Sequence, residues 1–221
     1  MNYAEMIDHT LLKPEATPEE IRQLCREARE YKFHSVCVNS SYVPLCAEEL
    51  KGSGTAVCTV VGFPLGAAST AAKAAEAAEA VKNQASEIDM VLHIGMAKSG
   101  NWEYVKQDIA AVRKAVGDQV LLKVILETCL LTEEEIVLAC RISCEAGADY
   151  VKTSTGFSSG GATAEAVRIM KKAVGTSAKV KASGGIRTLA DAEEMVQAGA
   201  DRLGVSAGVQ IVRESLEKKG E

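Results

Sequence analysis

The sequence contains little of what a metal site or a disulfide scaffold requires. It has three histidines, His9, His34 and His93, and none of its seven cysteines forms a Cys-x-x-Cys pair. Zinc sites are usually built from such pairs or from histidines at short spacings. We therefore expect reduced thiols, as in a cytosolic protein, and neither a metal nor another cofactor.

The sequence also lacks an excess of basic charge and any long apolar run. It has 25 Lys and Arg against 30 Asp and Glu, a net charge of −5, which does not favour nucleic acid or an anionic membrane surface as a partner. No apolar run approaches the roughly 20 residues that cross a bilayer. The N-terminal residues lack the basic and then apolar layout of a signal peptide. A cytoplasmic location is expected.

Short β-rich runs alternate with helical segments along the 221 residues. Several runs are almost continuously apolar, which is typical of strands buried on both faces. Eight strands are predicted, at 6–12, 35–39, 55–62, 87–94, 120–127, 149–154, 178–182 and 202–205.

Helices are predicted between these strands from their start signals. Thr17 and Thr132 each precede acidic residues in the arrangement of a helix cap, and Thr163 and Thr188 open further helices. The alanine-rich stretch 70–81 favours another helix. Eight strands alternating with helices predict a single (β/α)8 TIM barrel domain over 1–221. A doubly wound open sheet is the alternative.

Two lysines are predicted in apolar strands that run directly into glycine-rich turns. Lys152 lies in the segment 149–156, and Lys181 in the segment 180–187. Desolvation disfavours the charged form of an amine, and a second cation nearby disfavours it further. A neutral amine near pH 7 suits attack on a carbonyl to form a Schiff base. We expect both amines to share one water-poor pocket.

Further candidates follow from the rule that a barrel's active site lies at the C-terminal ends of its strands. Asp8 and Thr10 come from the first strand, Cys37 from the second, Asp89 from the fourth and Lys123 from the fifth. Each has a structural alternative. Asp8 can simply fix the first strand, and Cys37 suits packing better than nucleophilic attack.

Lys123 and Asp89 are the most ambiguous of these residues. Lys123 can neutralise a buried carboxylate, either Asp89 or Glu127, as readily as take part in catalysis. Asp89 can be an ion-pair partner, a proton carrier or both.

Glycine-rich loops follow the last two predicted strands, at 183–188 and 204–208, and each leads into a helix. Backbone amides at a helix N-terminus favour an anion, and TIM barrels frequently bind phosphate with these two loops. Gly156, after the sixth strand, would supply a further donor. We expect a small phosphorylated substrate.

Five segments of the chain, in their order, resemble those of the deoxyribose-phosphate aldolase family, and the likeness runs from the first strand to the last. The segments are Asp8-His-Thr-Leu-Leu, Glu87-Ile-Asp-Met-Val, Leu122-Lys-Val-Ile-Leu-Glu-Thr, Val151-Lys-Thr-Ser-Thr-Gly and Lys181-Ala-Ser-Gly-Gly-Ile-Arg-Thr. The resemblance implies a metal-free class I aldolase with a (β/α)8 barrel. Its reaction would be reversible cleavage of 2-deoxy-D-ribose 5-phosphate to acetaldehyde and D-glyceraldehyde 3-phosphate, in cytoplasmic deoxynucleoside catabolism.

The resemblance also implies roles for individual residues. Lys152 would form the Schiff base, Lys181 would be the neighbouring cation that keeps it unprotonated, and Asp89 would take part in proton transfer. The phosphate would be held by Gly184, Gly185, Gly204 and Ser206. The same resemblance suggests a homodimer.

One position departs from the pattern of some family members, which have a lysine directly after the Thr-Gly of the sixth strand. This chain has Phe157 there. We expect its phosphate site to rely on backbone amides and Ser206, with Arg187 contributing.

Two other functions remain open on the sequence alone. The first is a different Schiff-base aldolase, or a transaldolase-like enzyme with another acceptor. The second is a barrel that only binds a sugar phosphate as a sensor, although a sensor gains nothing from two buried lysines.

Overall fold

A computed structural model of the chain, which describes residues 1–220, contains eight parallel strands closed into a barrel. Each strand pairs with the next along the chain, and the last pairs with the first. The predicted TIM barrel is therefore confirmed, and the open sheet is excluded. The strands are β1 Ile7–Leu11, β2 Ser35–Val38, β3 Ala56–Val61, β4 Glu87–Val91, β5 Leu121–Ile125, β6 Tyr150–Lys152, β7 Lys179–Ser183 and β8 Arg202–Val205.

Helices connect the strands and form the outer layer of the barrel. They are α1 Pro18–Tyr31, α2 Val43–Glu49, α3 Thr70–Lys82, α4 Ile94–Lys98, α5 Trp102–Val116, α6 Glu133–Glu145, α7 Ala164–Val174, α8 Leu189–Gln197 and α9 Gly208–Gly220. Within residues 1–220, no helix combines the length and the apolar character needed to span a membrane.

The predicted helix starts are confirmed at all four threonines. The hydroxyl groups of Thr17 and Thr132 each accept a hydrogen bond from the backbone amide three residues later, and the glutamate at that position bonds back to the threonine amide. Thr188 forms the same reciprocal pair with Asp191, and Thr163 caps α7 with its side chain alone. These bonds satisfy amides that have no partner inside the helix.

Six strands end earlier than the sequence predicted, and the fourth, fifth and sixth do so by two or three residues. The fourth stops at Val91, because His93 accepts a hydrogen bond from the Met96 amide and begins α4 at Ile94. The fifth stops at Ile125, and Glu127 adopts a left-handed backbone conformation with φ of 57°. Glu127 therefore lies beyond the strand that carries Lys123, which bears on its expected role as a partner of that lysine.

The apolar core lies between the sheet and the helices, whereas the interior of the barrel is largely polar. Strand residues that face outward, such as Val36, Ile88 and Leu122, belong to the main apolar cluster. Inward-facing residues from alternate strands form successive layers, as is usual in TIM barrels. From the N-terminal end of the strands upward, the layers are Ser35, Glu87, Tyr150 and Arg202; then Asp8, Cys58, Lys123 and Lys181; then Cys37, Asp89, Lys152 and Gly204.

Candidate active site

The lower part of the barrel interior contains an ion-pair network that the sequence did not reveal. The Arg202 guanidinium lies 2.8 Å from an Asp8 carboxylate oxygen and 3.4 Å from Glu87. The Lys123 ammonium lies 2.5 Å from Glu87 Oε2. All four side chains are at most 5% exposed, so each charge depends on its partners for stabilisation.

Asp89 lies above this network and contacts all three interior lysines. Its Oδ1 atom is 2.8 Å from Lys123 Nζ, and its Oδ2 atom is 2.8 Å from Lys181 Nζ and 2.9 Å from Lys152 Nζ. Lys181 Nζ is also 2.5 Å from Asp8 Oδ2. The structure therefore brings Lys152, Lys181 and Asp89 into one cluster.

Lys123 belongs to the same cluster, so its two alternative partners are resolved. It pairs with Asp89 and Glu87, and its ammonium is 3.4 Å from the Cys58 sulfur. Glu127 was the other predicted partner, and that prediction is wrong. Its carboxylate instead accepts hydrogen bonds from the backbone amide and the hydroxyl of Thr155.

The cluster fixes the charge of most of its members. Burial alone would raise the pKa of Asp89, but Lys123, Lys152 and Lys181 hold it well below its usual range. Asp8 behaves in the same way, with Lys181 as the strongest of its cationic neighbours.

The buried cations show the opposite shift. Burial acts to lower the pKa of Lys181, but the carboxylates of Asp8 and Asp89 outweigh it and raise the pKa. Burial also acts to lower the pKa of Lys123, but nearby acidic groups, Asp89 foremost, outweigh it and raise the pKa. Both side chains therefore remain cationic at neutral pH.

The interior charges do not balance if every group is ionised. Among the described residues, the three carboxylates of the network face four bases, Lys123, Lys152, Lys181 and Arg202. The loss of one proton from a lysine makes the network neutral. Lys152 has one carboxylate partner in the part of the chain described, Asp89, whereas Lys123 and Lys181 each have at least two.

A cavity of about 400 Å³ opens above the cluster at the C-terminal ends of the strands. Lys152 lines it, whereas Lys181 and Asp89 are fully buried beneath it. The expectation that both amines share the pocket is thus met by Lys152 alone. Lys181 lies below the pocket, where its Nζ atom is 2.8 Å from Asp89 Oδ2.

The same cavity is lined by every residue predicted to bind phosphate. It is bounded by the loops after β6, β7 and β8 and by the end of β1. The predicted residues among its lining are Thr10, Gly156, Gly184, Gly185, Gly204 and Ser206. Asp8, Cys37 and Lys123 do not line it and lie deeper in the barrel.

The local structure requires glycine at two positions of the cavity lining, Gly184 and Gly204, for different reasons. Gly184 has φ of 86°, a conformation that side chains disfavour, and its carbonyl accepts a hydrogen bond from the Ala162 amide. At Gly204 a Cβ atom would lie 2.9 Å from Lys181 Cε and 3.0 Å from Ser183 Cβ. Gly204 therefore leaves the space that the Lys181 side chain occupies.

The mouth of the cavity combines aromatic and cationic side chains. Phe157 is half exposed there and packs edge-on against Phe63, with ring centroids 5.2 Å apart. Lys13 and Arg187 also line the cavity. Arg187 was expected from the sequence, whereas Lys13 was not.

Sequence reasoning missed several residues of the interior. Glu87 and Arg202 lie at the starts of their strands, and the rule used above considers only the C-terminal ends of strands. Cys58 carried no signal beyond its position in an apolar strand. It lies with Cys37 and Asp89 in a group whose donor atoms are all within 4.8 Å of one another. Among the described residues this is the one such group with metal-ligating atoms.

Comparisons with known proteins agree with this geometry. The family model described as DeoC/LacD family aldolase matches residues 3–218. A deoxyribose-phosphate aldolase of Brevibacillus brevis is 61% identical over 212 residues, which cover 96% of each chain. One of Caldanaerobacter subterraneus subsp. tengcongensis is 61% identical over 217 residues, covering 97% of this chain and 94% of the relative.

A solved structure shows the same fold. The deoxyribose phosphate aldolase of Aeropyrum pernix, described as having a unique tetrameric structure, superposes with a TM-score of 0.91 at 36% identity. The match covers 97% of this chain and 91% of that one.

Proposed function

The chain belongs to the DeoC/LacD family of aldolases, and we propose that it catalyses the reversible cleavage of 2-deoxy-D-ribose 5-phosphate to acetaldehyde and D-glyceraldehyde 3-phosphate. The observation that supports this most directly is Lys152. Its amine reaches the cavity, and its single carboxylate partner among the described residues is shared with Lys181, which is cationic at neutral pH.

Lys152 is the proposed nucleophile. Its unprotonated Nζ adds to the C1 aldehyde of the open-chain sugar, and loss of water gives an iminium ion. The C3 hydroxyl then loses its proton and the C2–C3 bond breaks, releasing glyceraldehyde 3-phosphate. The iminium nitrogen accepts the electron pair of that bond, which leaves an enamine of acetaldehyde on the lysine.

Asp89 and Lys181 are proposed to handle the protons of these steps. The enamine must be protonated at carbon before hydrolysis frees acetaldehyde and Lys152. Asp89 Oδ2 lies 2.9 Å from Lys152 Nζ and 2.8 Å from Lys181 Nζ. This oxygen is therefore within reach of both the reacting nitrogen and a proton donor, as general acid–base catalysis requires.

The glycine loops are proposed to hold the substrate phosphate. All four line the cavity: Gly184 and Gly185 follow β7, Gly204 lies in β8, and Ser206 stands two residues before α9, near whose N-terminus backbone amides favour an anion. Gly156 completes the lining on the β6 side. Lys13 and Arg187, which line the same cavity, would supply positive charge in a chain that has Phe157 where some family members have a lysine.

Reductive trapping tests the proposal. With acetaldehyde and borohydride, we expect peptide mass spectrometry to find an ethylated Lys152. We also expect Lys152→Met to abolish both turnover and labelling. Lys82, an exposed lysine on α3 with a side chain 76% exposed, provides the control variant Lys82→Met, which should remain fully active and labelled. Labelling of a lysine other than Lys152 would refute the assignment.

The proposal includes the setting in which the enzyme works. One barrel domain spanning residues 1–221 would carry the whole activity, because the cluster draws side chains from strands all around the sheet. We propose a cytoplasmic location, which follows from the role in deoxyribose phosphate catabolism that the family resemblance implies. A homodimer is also proposed, and sedimentation equilibrium tests it.

A further inference from the structure

The barrel interior contains two thiols beside Asp89 that the proposed mechanism does not use. Cys37 on β2 and Cys58 on β3 are register partners on neighbouring strands, and both are fully buried. Their sulfur atoms and an Asp89 carboxylate oxygen lie within 4.8 Å of one another. We propose that these three residues form a site for a thiophilic divalent cation of the Zn²⁺ class, and that its occupation inhibits the enzyme.

The donor set and its spacing suit such a cation. Thiolates select soft and borderline metals, and zinc accepts mixed sulfur and carboxylate ligands. With Zn–S bonds of about 2.3 Å, two sulfurs of a tetrahedral site lie roughly 3.8 Å apart. Cys58 Sγ already lies 3.2 Å from Asp89 Oδ1, so small side-chain rotations bring the three donors around one ion.

The charge of the interior also permits the ion. Binding replaces the S–H protons of Cys37 and Cys58 with one divalent cation, so two protons leave and the net charge of the network is unchanged. Burial raises the pKa of the Cys58 thiol well above its ordinary value, so the metal itself must displace the proton; the Lys123 ammonium, 3.4 Å from Cys58 Sγ, acts in favour of the resulting thiolate. When the metal takes Asp89 Oδ1, Lys123 retains Glu87 at 2.5 Å.

A route to the site runs through the substrate cavity. Cys37, Cys58, Leu12 and Val60 form a small apolar cluster separate from the main core. Leu12 also lines the cavity, so this side chain borders both the cavity and the thiol cluster. We expect a rotation of Leu12 to admit a small cation.

Occupation of the site would remove the catalytic function of Asp89. This carboxylate is the shared partner of Lys152 and Lys181, and a metal bound to it would compete with both. The predicted effect is inhibition that a chelator reverses. Metal binding itself is independent of the aldolase assignment, because it requires only the two thiols and the Asp89 carboxylate.

Titration with Cd²⁺ tests the site by spectroscopy. Bound cadmium gives a thiolate-to-metal charge-transfer absorption in the ultraviolet, and we expect one tight equivalent per chain. Cys58→Ala should weaken this binding at least about tenfold, since ligand loss exceeds the effect of losing a supporting residue. Cys37→Ala removes the other thiol and serves if Cys58→Ala does not fold.

A second pair of buried thiols provides the matched control. Cys25 on α1 and Cys46 on α2 are both buried in the main apolar cluster, outside the barrel interior. Cys25→Ala should leave the tight cadmium site and the inhibition by Zn²⁺ unchanged, whereas Cys58→Ala should raise the inhibitory Zn²⁺ concentration at least about tenfold. Loss of the absorption in Cys25→Ala, or its persistence in both interior variants, would overturn the proposal.

Discussion

Glu87 carries a pH-dependent part of the protein's stability, which Glu87→Gln should remove. The carboxylate is buried at the bottom of the barrel, 2.5 Å from Lys123 and 3.4 Å from Arg202. Burial acts to raise its pKa, but Lys123 and a hydrogen bond from His34 outweigh this and lower the pKa from 4.5 to about 2. The folded state therefore holds the charged form more tightly than the unfolded chain does.

The size and the pH range of the effect follow from these values. The fall of the Glu87 pKa from 4.5 to about 2 is worth on the order of 3 kcal/mol, because a shift of one pKa unit corresponds to about 1.4 kcal/mol. For a carboxyl with a lowered folded-state pKa, this stability is present above the unfolded value and is lost as the pH falls toward the folded one. At pH 3 only about 1 kcal/mol of it should remain.

Urea unfolding followed by circular dichroism at pH 7, 5 and 3 measures the effect. The difference in unfolding free energy between the parent and Glu87→Gln should shrink from about 3 kcal/mol at pH 7 to about 1 kcal/mol at pH 3. Glu79→Gln is the control, because Glu79 forms an exposed pair with Lys82, and it should change stability by less than about 0.5 kcal/mol. A difference that stays constant from pH 7 to pH 3 would refute the electrostatic reasoning.

Two further predictions concern Lys181. Replacing it with Met removes a cation that shares Asp89 Oδ2 with Lys152, and a cation nearby disfavours the charged form of an amine. The acidic limb of the kcat/KM profile should therefore move to higher pH, and an unmoved limb would contradict the role of Lys181. Gly204→Ala should lower kcat and cost about 1–3 kcal/mol in urea unfolding, because its Cβ would lie 2.9 Å from Lys181 Cε. Gly95→Ala, whose Cβ would meet no atom closer than 3.7 Å, should lower neither kcat nor stability. Equal losses in both variants would argue against crowding of Lys181.

The fold was predictable because its local signals agree with one another. Buried strands appear as apolar runs, and the capping threonines mark where the intervening helices start. The rule that strand ends carry the chemistry also selected Lys152, Lys181 and Asp89, and in the structure both lysine Nζ atoms lie within 2.9 Å of Asp89 Oδ2. Such residues share one end of the barrel by topology, whatever their separation in sequence.

The remaining parts of the site depend on geometry across the barrel. Glu87 pairs with Arg202 because the register of the closed sheet brings the starts of β4 and β8 into one layer. No spacing along the chain encodes that meeting. The partner of Lys123 was ambiguous for a similar reason, since only the left-handed turn at Glu127 removes that residue from the strand's face.

The layered interior also divides the barrel into two halves of opposite charge. Strands β1 to β4 supply the acids Asp8, Glu87 and Asp89, and strands β5 to β8 supply all four bases of the network. Either half alone would gather like charges with no counterions within it. The two halves are therefore electrostatic complements, and they meet both at the β4–β5 pair, where Asp89 contacts Lys123, and at the β8–β1 pair that closes the sheet, where Arg202 contacts Asp8.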